Sequence, residues 1–87
     1  MDHKAKQIVR NLADEDQDLY IGLKELRKKI AAERSVPAYI IFSDKSLVDM
    51  AVNKPVTLDQ FGQVFGVGEG KKKKFGDQFV DFISQAS

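Results

Sequence analysis

Eighty-seven residues with no cysteine, one histidine and a formal net charge of +1 make a single small domain and exclude several classes of function at once. A chain of this size buries only about 60% of its unfolded surface, so we expect a modestly stable module working within a longer protein. There is no disulfide framework and no thiolate metal site, and His3, in a polar stretch near the terminus, reads as solvated rather than as a ligand or catalytic base. No apolar run approaches the roughly 18 residues that span a bilayer and no signal-like segment follows the charged N-terminus, which fits a soluble, cytoplasmic setting with no membrane partner.

The small net charge conceals an uneven distribution. Residues 19–35 hold five Lys or Arg against two acids and residues 69–76 hold four Lys against one, while the remaining segments are net acidic. If the two basic segments meet in space, a nearly neutral domain carries a local basic patch suited to nucleic acid; if they diverge, they are two solvated faces.

Residues 1–16 are polar and end in Asp14-Glu15-Asp16, although Ile8, Val9 and Leu12 offer a short apolar stripe, so they read as a linker or a weak helix ahead of a domain over 17–87. Leu19, Leu23, Leu26 and Ile30 recur at helical spacing and predict an amphipathic helix over about 17–34, with Asp16 and Asp18 at its positive end and Arg34 at its close. Lys24, Arg27, Lys28 and Arg34 are expected mostly on its outer faces. Val36-Pro37-Ala38-Tyr39-Ile40-Ile41-Phe42 has strand-like composition, but Pro37 drives Val36 out of helical geometry and no second strand exists to pair with it. It is expected to be an extended, buried connector.

Ser43 is a good N-cap for a helix over about 44–53 that buries Leu47, Met50 and Ala51 and ends at Asn53-Lys54-Pro55. Thr57 caps a short helix whose apolar face is Leu58, Phe61, Val64 and Phe65. A lysine-rich helix follows Val67-Gly68, Phe75-Gly76 breaks it, and a final helix carries Phe79, Val80, Phe82 and Ile83 to about Gln85. Five short helices with no alternating strand pattern predict an all-α bundle. Phe42, Phe61, Phe75, Phe79 and Phe82 have the spacing of core residues.

Phe65-Gly66-Val67-Gly68-Glu69-Gly70 followed by Lys71-Lys72-Lys73-Lys74 joins a glycine turn to a helix start and dense positive charge. Free amides at a helix N-terminus attract anions, and lysines add diffuse charge, a combination suited to a phosphodiester backbone. The alternative is a loop with a solvated lysine face. A nucleotide loop is excluded by the absence of G-x-x-x-x-G-K-[ST] spacing and of a preceding strand. Enzymatic chemistry lacks support: there is no central histidine, no cysteine and no paired carboxylates in an evident apolar cleft, and Asp44, Asp49 and Asp77 read as helix-start or surface charges. No cofactor or metal is expected.

The order and spacing of these parts resemble a known family. Leu19-x3-Leu23-x2-Leu26-Arg27, then Val36-Pro37-x-Tyr39-x2-Phe42-Ser43-Asp44-x2-Leu47-x2-Met50-Ala51, then Pro55-x-Thr57-x3-Phe61, then Gly66-Val67-Gly68-x2-Lys71-x3-Phe75-Gly76-x2-Phe79 is similar to the HRDC domain, over roughly residues 19–85. That module lies near the C-terminus of RecQ-family DNA helicases and occurs in RNase D. The resemblance implies a compact five-helix fold without catalytic activity of its own, which binds single-stranded or partly double-stranded DNA and tunes substrate choice for the helicase core. It implies a bacterial, nucleoid-associated parent helicase, a monomeric module, and roles in DNA repair, recombination and replication.

The family places the tyrosine of Val-Pro-x-Tyr in its DNA-binding surface, a position Tyr39 occupies here, beside the alternative of a core-edge aromatic with its hydroxyl in water. An exposed aromatic beside a basic helix stacks on an unpaired base without reading its identity. The expected surface comprises Tyr39, Arg27, Lys28, Arg34, Gly68 and Lys71 to Lys74. Lys72 departs from the family, which usually places an apolar residue there; its four-carbon stem is expected to fill part of that space while the ammonium reaches water. The competing reading is a protein-interaction module whose acidic segments 14–18 and 77–81 dock on a basic surface of the helicase core or another partner.

Overall fold

The structure, a computed structural model, describes residues 12–86. The expected weak helix through Ile8 and Val9 lies outside them. Five helices follow in order: α1, Asp14–Arg34; α2, Ala38–Ile41; α3, Asp44–Asn53; α4, Leu58–Gly62; and α5, Glu69–Ala86. Helix α1 begins three residues earlier than the apolar spacing indicated, because Asp14, Glu15 and Asp16 occupy its first turn, where the helix dipole favours carboxylates. It buries Leu19, Tyr20, Leu23, Ile30 and Ala31 along one stripe, with Leu26 at the margin. The C-terminal end is a Schellman turn: Ser35 takes φ 57°, its N–H bonds the Ala32 carbonyl at 3.2 Å, and the Val36 N–H bonds that of Ala31 at 3.0 Å.

The expected extended connector is corrected. Pro37 does lead in as extended chain, but Ala38–Ile41 closes one helical turn, with Ile40 N–H on the Pro37 carbonyl at 3.0 Å. Proline restricts the residue before it and fixes its own φ, yet leaves the residues after it free to be helical. With no strand to satisfy an extended backbone, the helical turn satisfies it internally and carries Ile41 inward while Tyr39 and Ile40 stay outside.

The two predicted caps are present. Ser43 Oγ accepts from Ser46 N at 3.2 Å to open α3, and Thr57 Oγ1 accepts from Gln60 N at 3.1 Å to open α4. Gln60 reaches back to accept from Val56 N at 2.9 Å. Of the apolar face expected for α4, Phe61 and Val64 are buried, whereas Leu58 and Phe65 are exposed. The break expected at Phe75-Gly76 is also corrected, since α5 runs through it unbroken. Phe75, Phe79 and Ile83 continue one buried stripe across the glycine, and their packing outweighs the roughly 1 kcal/mol that an interior glycine costs a helix.

The core is organised around Phe42, which is fully buried and meets Phe61, Phe75 and Phe79 edge-on at 5.8, 5.8 and 5.0 Å between ring centres. Helices α1 and α5 pack antiparallel. At one end Gly22 lets the Phe82 ring lie against the α1 backbone, where a Cβ would stand 2.6 Å from Phe82 Cζ; at the other, Arg34 lies over Phe75. That pairing places the acidic start of α1 beside the end of α5, and the basic end of α1 beside the lysine-rich start of α5.

Candidate nucleic-acid interface

Where those basic ends meet, an open groove of about 470 Å³ forms between the end of α1, the turn of α2 and the start of α5. Its apolar floor is Val36, Ile40, Ile41 and Phe75; Arg34, Lys71 and Lys74 supply its charge and Gly70 completes the wall. Lys71 and Lys74, three apart on α5, share a face of the helix. The Arg34 guanidinium lies 4.8 Å from the Phe75 ring centre, and Lys71 Nζ lies 5.5 Å from that of Phe42. Both cations are thus held by aromatic faces while their charge stays at the groove. Tyr39, next to Ile40 on the same helical turn, is 69% exposed.

The two basic segments therefore meet, but through only some of their residues. Lys28 is exposed on α1 but lies six residues before Arg34, about 120° round the helix, on a different face. Lys73 is exposed on another side of α5. The Lys72 stem covers Gly62, with Cδ 3.1 Å from where a Cβ would stand, while its Nζ, expected in water, pairs with Glu69 Oε1 at 3.5 Å. Gly68 lies immediately before α5, and Lys72 N–H bonds its carbonyl at 2.9 Å. Neither Gly68 nor Gly70 has an atom within 4 Å of its missing Cβ, so the chain here is open to close approach; the turn itself needs glycine at Gly66, at φ 76°.

Arg27 corrects the expectation that it lies on an outer face. It is 8% exposed, and its Nη1 donates to the Phe42 carbonyl at 2.9 Å and to Asp44 Oδ1 at 2.8 Å. The guanidinium ties α1 to the junction of α2 and α3 and is not available to a ligand. Tyr20 lies close enough to feel both charges: burial, and then the Asp44 carboxylate, push its phenol above the usual tyrosine range, with Arg27 opposing.

A second cleft, of about 390 Å³, lies between α3 and α4 and is lined by Asp49, Asn53, Pro55, Gln60, Gln63 and Val64. It contains no cation. Sequence reasoning missed the apolar floor of the basic groove, because Val36 and Ile40 read as buried connector. The signal that could have found it was Pro37, which marks a helix start as readily as a strand.

Among the described residues, five helices and a basic groove over an apolar floor define the class of this fold. The chain belongs to the HRDC domain family, whose model matches residues 16–83. It is 41% identical over 69 residues to the ATP-dependent DNA helicase RecQ of Bacillus subtilis, covering 79% of this chain and 12% of that protein. Identity to RecQ of Pasteurella multocida is 39% over 74 residues, 85% of this chain and 12% of the relative. Among solved structures, the D. radiodurans RecQ HRDC domain 3 superposes with a TM-score of 0.77 at 30% identity, covering 80% of this chain and 92% of that one. The chain thus spans about an eighth of the length of these helicases and matches an isolated HRDC domain nearly end to end.

Proposed function

We propose that this chain is the non-catalytic accessory module of a RecQ-type DNA helicase and that it holds single-stranded or partly double-stranded DNA, weakly and without sequence preference, in the groove between α1 and α5. The observation that carries this reading is the convergence of Arg34 with Lys71 and Lys74 over an apolar floor beside the exposed Tyr39. Phosphates meet the three cations, the open backbone at Gly68 and Gly70 lets the strand approach the start of α5, and Tyr39 stacks on a base. Lys28, Lys72 and Lys73 add diffuse field from other faces, and Arg27 supports the fold instead of touching DNA. The module works as a monomer in the cytoplasm, on nucleoid DNA, tethered to its helicase core.

Fluorescence anisotropy of a labelled oligothymidylate tests this reading. Three phosphate contacts predict that log Kobs falls against log salt with a slope of about −2, and Lys71→Ala makes that slope shallower by about 0.7. Affinity indifferent to salt and to both Lys71→Ala and Tyr39→Ala would sink the proposal. A protein-docking role has one observation in its favour: Asp77 and Asp81 are exposed along the middle of α5, away from the basic groove at its start. In that role these carboxylates face a basic surface of the core. Salt-sensitive binding to purified core, lost on reversing Asp77 and Asp81, is its signature.

A further inference from the structure

Phe65 is 55% exposed, yet the turn that carries it is held firmly. Its N–H donates to Asp49 Oδ2 at 2.7 Å, and its carbonyl accepts from Ser46 Oγ at 2.6 Å. Ser46 is itself 1% exposed, and Gly66 follows at φ 76°, where a Cβ would stand 2.7 Å from that same Ser46 hydroxyl. A buried hydroxyl, a carboxylate and a left-handed glycine thus fix the backbone, while the ring points outward. Lys45 Nζ sits 5.1 Å from the ring centre. A rigid, exposed aromatic beside a cation is what a base-stacking platform needs, because little is lost in ordering it when a ligand arrives.

This turn leads into the groove: Phe65 stands five residues before Gly70 in the chain, and Gly70 lines the groove. Phe42, the ring beneath Lys71, is followed directly by Ser43, and one helical turn further Ser46 grips the Phe65 carbonyl. The five residues from Phe65 to Gly70 span at most about 18 Å.

We propose that Phe65, with Lys45 beside it, is a second stacking platform for an unpaired base of the strand held in the groove, in addition to Tyr39. This inference rests on the proposed function and extends it to a surface the groove does not include. The neighbouring cation and the closeness to the basic groove favour nucleic acid over an apolar protein partner, and a ring face accepts any base.

The test uses the full chain and oligothymidylates carrying one 2-aminopurine, whose fluorescence is quenched on stacking. With an oligonucleotide long enough to pass both aromatics, Phe65→Ala should bind roughly 5- to 150-fold more weakly and lose part of the quenching, from the energy of one base–aromatic stack. Phe65→Trp should restore both, Phe65→Leu should not, and a short oligonucleotide filling only the groove should be unaffected. Because the ring is exposed, Phe65→Ala should melt like the parent protein. If Phe65→Ala binds long oligonucleotides as well as the parent while Tyr39→Ala and Lys71→Ala weaken binding, the platform is wrong and the groove stands. If Phe65→Ala instead weakens only binding to the helicase core, the surface belongs to a protein partner and the inference is overturned. Salt-independent binding by the parent protein overturns the groove, and the platform with it.

Discussion

Replacing Arg27 with methionine should destabilise the domain severely. Methionine keeps an unbranched stem to fill the same space, so the loss is mainly that of the guanidinium. Its Nη1 satisfies the carbonyl of Phe42, a residue with no exposed surface, and stranding a buried acceptor costs about 1–3 kcal/mol. The ion pair with Asp44 adds at most about 1 kcal/mol, because the Asp44 side chain is 39% exposed and water screens it. A small gain opposes these terms, since Arg27 Nε is buried with no hydrogen-bond partner and leaves with the side chain. The net loss is about 1–4 kcal/mol, against a total of roughly 4–13 kcal/mol for a chain of this size. Urea denaturation followed by far-ultraviolet circular dichroism measures it. With a slope near 1 kcal/mol/M the midpoint should fall by about 1 M or more. An Arg27→Met protein as stable as the parent would refute the reasoning, and would mean that desolvating the guanidinium offsets its bonds, as happens for some buried ion pairs. Asp44→Asn, which keeps an acceptor for Arg27, should cost far less.

Further expectations follow from the same contacts. Ser35→Gly should raise stability by about 0.5–1 kcal/mol, because Ser35 holds a left-handed φ of 57° that glycine adopts without strain; a lower urea midpoint would contradict the Schellman geometry. Tyr20 has a raised folded-state pKa, so its contribution is fully present below the unfolded value of about 10 and is lost as pH rises through the folded value. Stability should therefore fall above about pH 10, less steeply in Tyr20→Phe, and identical alkaline profiles for the two proteins would argue against it.

The elements that sequence made legible are those where one local signal dominates. Ser43 and Thr57 bond the amides three residues on, as their cap positions suggested, and Leu19, Leu23 and Ile30 lie on the buried stripe that their spacing marked. Failures came where two signals competed. In Val36–Phe42 the β-branched composition outvoted the fact that a lone strand has nothing to bond, and a single helical turn resolves that conflict. At Phe75-Gly76 the glycine looked like a stop, but propensity is a weak term beside a stripe of buried phenylalanines. The candidate site was legible in its charges and not in its walls. Arg34, Lys71 and Lys74 stood out as residue types, whereas the burial of Arg27 depends on the Phe42 carbonyl, fifteen residues away, which no local pattern reveals. Phe65 was assigned inward because its spacing from Phe61 fits a helix, but α4 ends at Gly62 and the residues beyond it no longer follow that period.

The central claim is that the end of α1, the turn of α2 and the start of α5 form one binding surface, and mapping backbone amide shifts during titration with an oligothymidylate tests it most directly. The account predicts shifts at Arg34–Ile41 together with Gly68–Phe75, growing with one common affinity and fading as salt is raised. Shifts confined to one of these segments, or centred on the cation-free walls of the α3/α4 cleft around Asn53 and Gln60, would contradict it.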